Sequence, residues 1–147
     1  ALRLRGRWPD DVPVFSSPLQ RCQRLARYFQ PSPEIDARLA ELDFGNWEMQ
    51  RWDDIPRAEI DAWAADTVHY RPGGGENVLA MAERIIQFVA TLRQRRIHHA
   101  VLVCHAGSMR LLHCYQNGNT AVELAQQVCI VRQHFEFGTC SEVSLFV

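Results

Sequence analysis

The stretch "VLVCHAGSMRLL", residues 101–112, decides the fold that the sequence predicts. It opens with an unbroken apolar run, which is typical of a strand buried on both faces of a parallel sheet. His105 and the small residues Ala106 and Gly107 follow at once, and a helix is predicted from Ser108 to Tyr115. A buried strand that turns directly into a helix indicates an α/β protein.

A second junction of the same kind lies at residues 12–22. The run "VPVFSS" (12–17) predicts a buried strand, and "SSPLQRCQRLARYF" predicts a helix with Ser17 as its cap and Pro18 in its first position. If the two strands run parallel in one sheet, both helices begin at the same edge, where α/β folds bind ligands. Free N–H groups and the helix dipoles favour an anion there.

The remaining pattern predicts further helices and strands. The clearest helix runs from Val78 to about Arg96, and others are expected at Thr120 to Gln127 and, as short pieces, around Trp52 and Trp63. A short extended piece is predicted within residues 38–48, and an antiparallel strand pair at residues 129–137 and 141–147. The prediction is a single domain, residues 1–147, folded as a three-layer α/β sandwich with a mostly parallel sheet and helices on both faces.

Composition narrows the class of protein and its partners. The 147 residues carry 16 basic and 17 acidic side chains, so no excess of positive charge points to nucleic acid or to an anionic membrane surface. No apolar run approaches a membrane span, and no signal peptide is visible. The five cysteines are scattered without a C-x-x-C pair, which is typical of reduced thiols in the cytoplasm. The oligomeric state is left open.

Arg21 and His105 are the candidate anion ligands. A cation in the first turn of a helix opposes the dipole unless an anion lies nearby, and a guanidinium binds phosphate as a fork. His105 stands where a helix is expected to start, and Gly107 permits close backbone approach. A solvated arginine and a hydrogen-bonded core histidine are the alternatives. The paired junctions favour the anion site.

Three acidic residues, Glu41, Asp43 and Glu48, lie within "ELDFGNWE". In an extended segment, Glu41 and Asp43 would share one face. A carboxyl group held near an anion is pushed toward its protonated form, which suits a general acid. The alternative is a solvated loop carboxylate.

Other motifs give weaker signals. The adjacent pairs at residues 98–99 and 113–114 point in diverging directions and predict no metal site. The loop "RPGGGEN" (71–77) has neither the Walker lysine nor the dinucleotide glycine spacing, so it is interpreted as a rim of the site. Four tryptophans could line a pocket for a flat ring or pack in a core: Trp8, Trp47, Trp52 and Trp63.

Taken together, these stretches resemble the histidine phosphatase superfamily, which includes the phosphoglycerate mutases. The resemblance rests on "FSSPLQRCQRLA", "LAELDFGNWEMQRWDDIP", "EIDAWAAD", "PGGGEN" and "VLVCHAGSMR", which are spread over most of the chain. The run through "LDFGNWE" and "DAWAAD" is most similar to the alpha-ribazole phosphatases of cobalamin synthesis.

The resemblance implies an enzyme and assigns roles to residues. It implies a phosphatase that needs no metal and no cofactor and hydrolyses a small-molecule phosphate ester, alpha-ribazole 5′-phosphate, through a phosphohistidine. By the same likeness Arg21 binds the phosphate, and His105 contacts the phosphoryl oxygens and stabilises their charge. Glu41 is the general acid, and Glu76 is a possible neighbour at the rim.

The sequence also departs from the family pattern. Family members begin with a strand that ends in Arg-His-Gly, whose histidine is the nucleophile, and that tripeptide does not occur here. We therefore expect that these residues lack the N-terminal strand and are inactive as a phosphatase by themselves. A truncated sequence, an N-terminal stretch that is absent from it and a naturally degenerate member of the family are the alternative reasons. Asn77 replaces a serine that is usual in the family. The alternative functions are a phosphoglycerate mutase, a broad-specificity phosphatase, or a non-catalytic phosphate- or protein-binding module.

Overall fold

A computed structural model describes residues 8–9, 11–131, 133–136 and 138–145. The strands and α-helices are, in chain order, β1 (Val14–Ser16), α1 (Gln20–Ala26), β2 (Glu34–Ile35), α2 (Arg57–Ala65), α3 (Val78–Gln94), β3 (Val101–Val103), α4 (Ala106–Cys114) and α5 (Ala121–Ile130). Short 3₁₀ helices lie at Ala37–Leu39, Gly45–Trp47, Trp52–Asp54 and Pro72–Gly74. The predicted helices around Trp52 and Trp63 are therefore confirmed, the first as a 3₁₀ helix.

The three described strands form a parallel sheet in the order β2–β1–β3. In the central strand, Phe15 is paired with Leu102 of β3 and Ser16 with Val103. The pairing continues past β1, because the Ser17 N–H donates to the Val103 carbonyl at 2.9 Å. The carboxyl ends of β1 and β3 therefore lie side by side, as the two junctions predict.

Helices cover both faces of the sheet. Val14 and Val103 pack on one face with Cys22 and Ala26 of α1. Phe15 lies in the larger cluster on the other face, which α3, α4 and α5 form. This alternation follows from the period of two in a strand. The three-layer α/β arrangement of the prediction is confirmed.

Helix α3 supplies most of the core on its side of the sheet. Ile85, Phe88 and Val89 are fully buried, and Phe88 meets Phe15 edge-to-face with ring centroids 5.5 Å apart. Asn77 caps the helix, because its side chain accepts a hydrogen bond from the Ala80 N–H at 2.9 Å. The asparagine therefore performs the capping that a serine could also perform at this position.

The starts of two helices differ from the prediction. Helix α1 begins at Gln20, because Leu19 still has an extended backbone, so Ser17 is not its cap and Pro18 is not its first residue. The Ser17 hydroxyl instead closes a turn by accepting from the Leu19 N–H at 3.2 Å. Helix α4 begins at Ala106, two residues before Ser108.

The short extended piece predicted within residues 38–48 forms no strand. Asp36 accepts from the Arg38 N–H at 2.9 Å, and Asp43 accepts from the Gly45 N–H at 2.8 Å. These side chains take backbone donors that a sheet would need, so the segment folds as two 3₁₀ turns joined by an irregular stretch.

The strand pair predicted near the carboxyl end is also wrong for the described residues. Cys129 and Ile130 belong to α5, and residues 133–136 and 138–145 contain no strand. Helix α5 starts at a capping box of Thr120 and Glu123 and buries Leu124 against the core, so its apolar pattern belongs to a helix. Residues 132, 137 and 146–147 lie outside the described residues, as do residues 1–7 and 10 at the start of the chain.

Two further features bear on the expected class of protein. All five cysteines are free thiols. Within the described residues, none of the helices combines the length and the apolar character that crossing a bilayer requires.

Replacing Phe88 with alanine should lower the free energy of unfolding by about 3–5 kcal/mol, because the substitution opens a cavity against Phe15 in the centre of the core. Urea unfolding followed by circular dichroism measures it. Tyr28→Ala is the matched control, since Tyr28 is 62% exposed and its loss should change stability by no more than about 0.5 kcal/mol. Equal effects of the two substitutions would contradict the described core.

Candidate active site

Arg21 and His105 meet at the carboxyl edge of the sheet. Arg21 is the second residue of α1, and His105 is the N-cap of α4, two residues beyond the end of β3. The Arg21 Nη2 lies 3.1 Å from the His105 Nδ1. The parallel pairing of β1 and β3 thus brings together two residues that are 84 positions apart in the chain.

The hydrogen bonds define the tautomer of His105. A guanidinium can only donate, so the Nδ1 must be the accepting nitrogen of a neutral ring. The His105 Nε2 then carries the proton and donates to the Ser17 hydroxyl, 2.8 Å away. Ser17 follows β1 directly and is fully buried, so it fixes the plane of the imidazole.

The surroundings of His105 favour this neutral form. The side chain is 7% exposed, and burial lowers its pKa from the usual value, with the Arg21 charge as the next cause. Glu41 acts in the opposite direction, and Arg84 adds a further lowering effect. An anion bound beside Arg21 would raise the pKa of His105, because a nearby negative charge stabilises the imidazolium.

Cys22 lies behind the histidine. Its Sγ is 3.4 Å from the His105 Nε2, and burial raises the pKa of this thiol. Cys104, the residue just before His105, has a pKa raised to about 12, again by burial. Both sulfurs therefore remain protonated and pack as small apolar groups.

Glu41 reaches the same edge from the segment after the Ala37–Leu39 turn. Its Oε2 accepts a hydrogen bond from the Gly107 N–H at 3.3 Å, in the first turn of α4. Its Oε1 accepts from the N–H of its neighbour Leu42 at 3.1 Å. The helix N-terminus expected to hold a ligand anion therefore holds a carboxylate of the protein, two residues from His105.

Gly107 is required by this contact. A Cβ at this position would overlap the Oε1 of Glu41 and press against the end of the Met81 side chain. Only a residue without a side chain lets the carboxylate reach the backbone N–H.

Asp43 and Glu48 each accept a hydrogen bond within the local turns, Asp43 from the Gly45 N–H and Glu48 from the Phe44 N–H at 3.1 Å. Asp43 also lines the same cavity as Glu41, although the segment between them forms no strand.

Glu76, the predicted rim residue, is paired with Arg84 of α3. The Arg84 Nε and Nη2 donate to the two carboxylate oxygens of Glu76 at 2.7 and 2.8 Å. Both residues line a cavity of about 400 Å³ together with Glu41 and Arg71. The adjoining glycine loop packs against the segment after Glu41, where Gly73 adopts a φ of 58° and leaves no room for a Cβ beside the Phe44 carbonyl.

Three of the four tryptophans form one aromatic cluster. Trp52 stacks on Trp63 with centroids 6.0 Å apart, and Trp47 packs edge-on against both. Trp8 is not part of it and contacts Phe29 instead. A second cavity of about 280 Å³ is lined by Trp47, and it shares Gly74 with the cavity beside Glu41.

Ser16 and Ser108 also lie at this edge, although no sequence pattern marked them as site residues. In the described part of the chain, the buried polar side chains are those of Ser16, Ser17, His105 and Ser108, and all four lie at this edge. Ser108 donates to the Leu39 and Ala40 carbonyls, so it ties α4 to the segment that carries Glu41. Among the described residues, no three histidine, cysteine, aspartate or glutamate side chains are grouped to hold a metal ion.

His105 should titrate below pH 6.5 in the free protein, and Arg21→Gln should move its pKa upward by removing an adjacent cation. Because the folded protein favours the neutral ring, the lowered His105 pKa contributes to the free energy of unfolding. This contribution is complete above pH 6.5 and is lost as the pH falls through the pKa of His105 in the folded protein. Inorganic phosphate should also raise the His105 pKa.

Imidazole resonances followed by NMR across the pH range measure these shifts. Arg24→Gln is the matched control, since Arg24 lies on the same helix and contacts Gln20 instead. A His105 pKa that changes neither when phosphate is added nor when Arg21 is replaced would contradict a shared anion site.

Gly107→Ala should leave the protein folded, with a stability loss of no more than about 1 kcal/mol, because the clash is with the movable end of a side chain. The Glu41 carboxylate should nevertheless be displaced from the helix, which a crystal structure of the variant would show. The loss should shrink further in a Glu41→Ala background, where the clash is absent. An undisturbed Glu41 in Gly107→Ala would contradict the described fit.

Comparison with known proteins identifies the family of this chain. The sequence profile of the histidine phosphatase superfamily (branch 1) matches residues 1–137. An adenosylcobalamin/alpha-ribazole phosphatase of Escherichia coli K12 is 33% identical over 107 residues, which cover 67% of this chain and 53% of that protein. The corresponding protein of Salmonella typhimurium LT2 is 27% identical over the same length. The chain thus spans about half the length of the curated relatives it matches.

Solved structures show the same likeness. The alpha-ribazole phosphatase from Shigella flexneri superposes with a TM-score of 0.67 at 32% identity, covering 80% of this chain and 63% of that one. A phosphoglycerate mutase from Thermus thermophilus superposes with a TM-score of 0.60 at 32% identity, covering 81% and 66%. With an α/β sandwich that gathers Arg21, His105 and Glu41 at one sheet edge, this chain belongs to the histidine phosphatase superfamily.

Proposed function

We propose that this protein is a phosphomonoesterase that hydrolyses a small phosphate ester, with Arg21 and His105 binding the phosphoryl group and Glu41 protonating the leaving oxygen. The observation that carries the proposal is the convergence of these three side chains at one edge of the sheet. Membership of the superfamily and the likeness to proteins named as phosphatases support it.

The geometry suits phosphoryl binding. Arg21 is exposed to solvent, while His105 is held in place by Ser17, so the pair offers two donors to one anion once the ring is protonated. Such preorganised donors stabilise the charge on a transferring phosphoryl group. The arriving dianion also favours the protonated carboxyl of Glu41, as a general acid requires.

The phosphoryl acceptor in this proposal is a histidine other than His105. Ser17 holds the His105 Nε2, and the family resemblance gives His105 the supporting role of contacting the phosphoryl oxygens. In the first step a bond forms between phosphorus and the nucleophilic imidazole nitrogen, the ester P–O bond breaks, and the leaving oxygen takes the proton of Glu41. Water then attacks phosphorus, the bond between phosphorus and the imidazole nitrogen breaks, Glu41 takes a proton from the water, and inorganic phosphate leaves.

The proposed substrate is alpha-ribazole 5′-phosphate. The cavity beside Glu41 and the cavity lined by Trp47 and Tyr70 share Gly74 in their walls, so a leaving group that carries a flat ring could extend from the phosphate toward aromatic side chains. The relatives in E. coli and S. typhimurium carry the name of alpha-ribazole. The likeness to a phosphoglycerate mutase makes phosphoglycerate the competing candidate.

Glu41→Gln should lower kcat by about 100-fold or more on an alkyl phosphate, yet by only a few-fold on p-nitrophenyl phosphate, because an activated phenolate leaves without a proton. Steady-state kinetics of the full-length protein measure both. Glu48→Gln is the matched control and should spare both substrates, since Glu48 is exposed and its carboxylate accepts from the Phe44 N–H in a local turn. Equal losses of Glu41→Gln on the two esters would make Glu41 structural.

The kcat/KM of the full-length protein should be higher for alpha-ribazole 5′-phosphate than for 3-phosphoglycerate, which steady-state kinetics on both esters measure.

A reaction with ³²P-labelled ester that is quenched rapidly should trap an acid-labile phosphohistidine. Peptide mapping should place this label on a peptide without His105. A preference for phosphoglycerate would move the protein to the mutases. A label on His105 would overturn the assignment of roles, and the absence of any turnover would favour a non-catalytic binding module.

A further inference from the structure

We infer that Arg84 is a positioning residue for Glu41, acting through the backbone that carries the carboxylate. The inference rests on the proposed role of Glu41 as proton donor. It concerns a residue 43 positions further along the chain, on a different element, whose guanidinium is engaged with Glu76 and with backbone carbonyls.

The guanidinium of Arg84 uses all five of its N–H donors. Two go to the carboxylate of Glu76, as described above, and the other three go to backbone carbonyls. The Nη1 donates to the Arg38 and Ala40 carbonyls at 2.6 and 2.9 Å, and the Nη2 donates to the Glu41 carbonyl at 3.2 Å. Every one of the three carbonyls lies in the segment that delivers Glu41 to helix α4.

The contacts form a closed ring around Glu41. Arg84 donates to the Ala40 and Glu41 carbonyls, and the Glu76 carboxylate accepts from Arg84. The Glu76 N–H in turn donates to the Asp43 carbonyl at 2.8 Å, two residues after Glu41. The segment is therefore fixed on both sides of Glu41 by the ion pair of Arg84 and Glu76, which we call the clamp. The clamp is largely buried, since the side chains of Arg84 and Glu76 are 17% and 19% exposed.

This clamp explains how an irregular segment can place a carboxylate reproducibly. Residues 40–44 belong to no helix or strand, so no ladder of backbone hydrogen bonds fixes them. Ser108 adds a second anchor by donating to the Leu39 and Ala40 carbonyls. The bond from Gly107 to the Glu41 carboxylate is long, at 3.3 Å, so the position of the carboxylate depends on the backbone beneath it.

Lysine cannot replace this arginine. An ammonium offers three donors from a single point, whereas the guanidinium spans the carboxylate on one side and three carbonyls on the other. Arg84→Lys keeps the positive charge, so it changes the geometry while preserving the electrostatic effect on the phosphate site. A displacement of a catalytic group by about 1 Å can cost about 100-fold in rate.

The test compares leaving groups in the full-length protein. Arg84→Lys should lower kcat/KM for an alkyl phosphate by about 10- to 100-fold and for p-nitrophenyl phosphate by no more than about 3-fold, because only the alkyl ester needs the proton of Glu41. Inorganic phosphate should inhibit the variant as it inhibits the unsubstituted protein, which also shows that the variant is folded. Arg95→Lys is the matched control, since Arg95 makes a bidentate pair with Glu34 that does not contact the Glu41 segment.

A double-substitution cycle separates positioning from a general structural role. In a Glu41→Gln background, Arg84→Lys should cause no further loss on the alkyl ester, because the group it positions is already gone. Additive losses, or equal losses on both esters, would overturn the inference. If Arg84→Lys does not fold, Glu76→Gln carries the same test, since it weakens the other half of the clamp.

The outcomes distinguish this inference from the proposed function. If Glu41→Gln itself shows no dependence on the leaving group, the proposed role of Glu41 fails. If the loss in Glu41→Gln depends on the leaving group, but the losses in Arg84→Lys and Glu76→Gln do not, only the positioning role of Arg84 fails.

Discussion

The parallel pairing of β1 with β3 is the constraint on which the rest of the site depends. It places Ser16 opposite Val103, so that Ser17 and Cys104 leave the sheet at the same level. Two helices then start within a few residues of that edge, and Arg21 and His105 come within 3.1 Å of each other. A shift of register by one residue would turn Phe15 away from Phe88 and would separate the two junctions, so the same packing that stabilises the core fixes the site.

The polar part of the described interior is concentrated at this edge. Burying a hydroxyl or an imidazole is costly unless it is hydrogen-bonded, and the buried serines and His105 all have partners here. The result is a neutral histidine held beside an exposed cation, with a carboxylate on a helix N-terminus close by. His105 is thereby held in place in a neutral form that an arriving phosphate dianion can convert to the imidazolium.

Sequence patterns predict the strands and the sheet edge of this site, because these depend on residues that are close together in the chain. The apolar runs before Ser17 and His105 identify the strands, and the small residues after them identify the edge, so the approach of Arg21 to His105 follows from the topology. The segment around Glu41 is predicted to contain a short extended piece but forms no strand, because the side chains of Asp36 and Asp43 take backbone donors of this segment into turns. Arg84 carries no local signal at all, since it appears as one arginine on the polar side of a helix and its partners lie up to 46 residues away. Contacts of that kind become visible only once the chain is folded.

The most direct test of the shared anion site is a crystal structure of the full-length protein with tungstate, a phosphate mimic whose heavy atom identifies itself by anomalous scattering. The geometry predicts one tungstate whose oxygens lie within hydrogen-bond distance of both the Arg21 guanidinium and the His105 ring, with the Glu41 carboxylate facing it. A tungstate bound instead beside Arg71 in the neighbouring cavity, with the bond between Arg21 and His105 unchanged, would contradict the proposal that these two residues form the phosphate site.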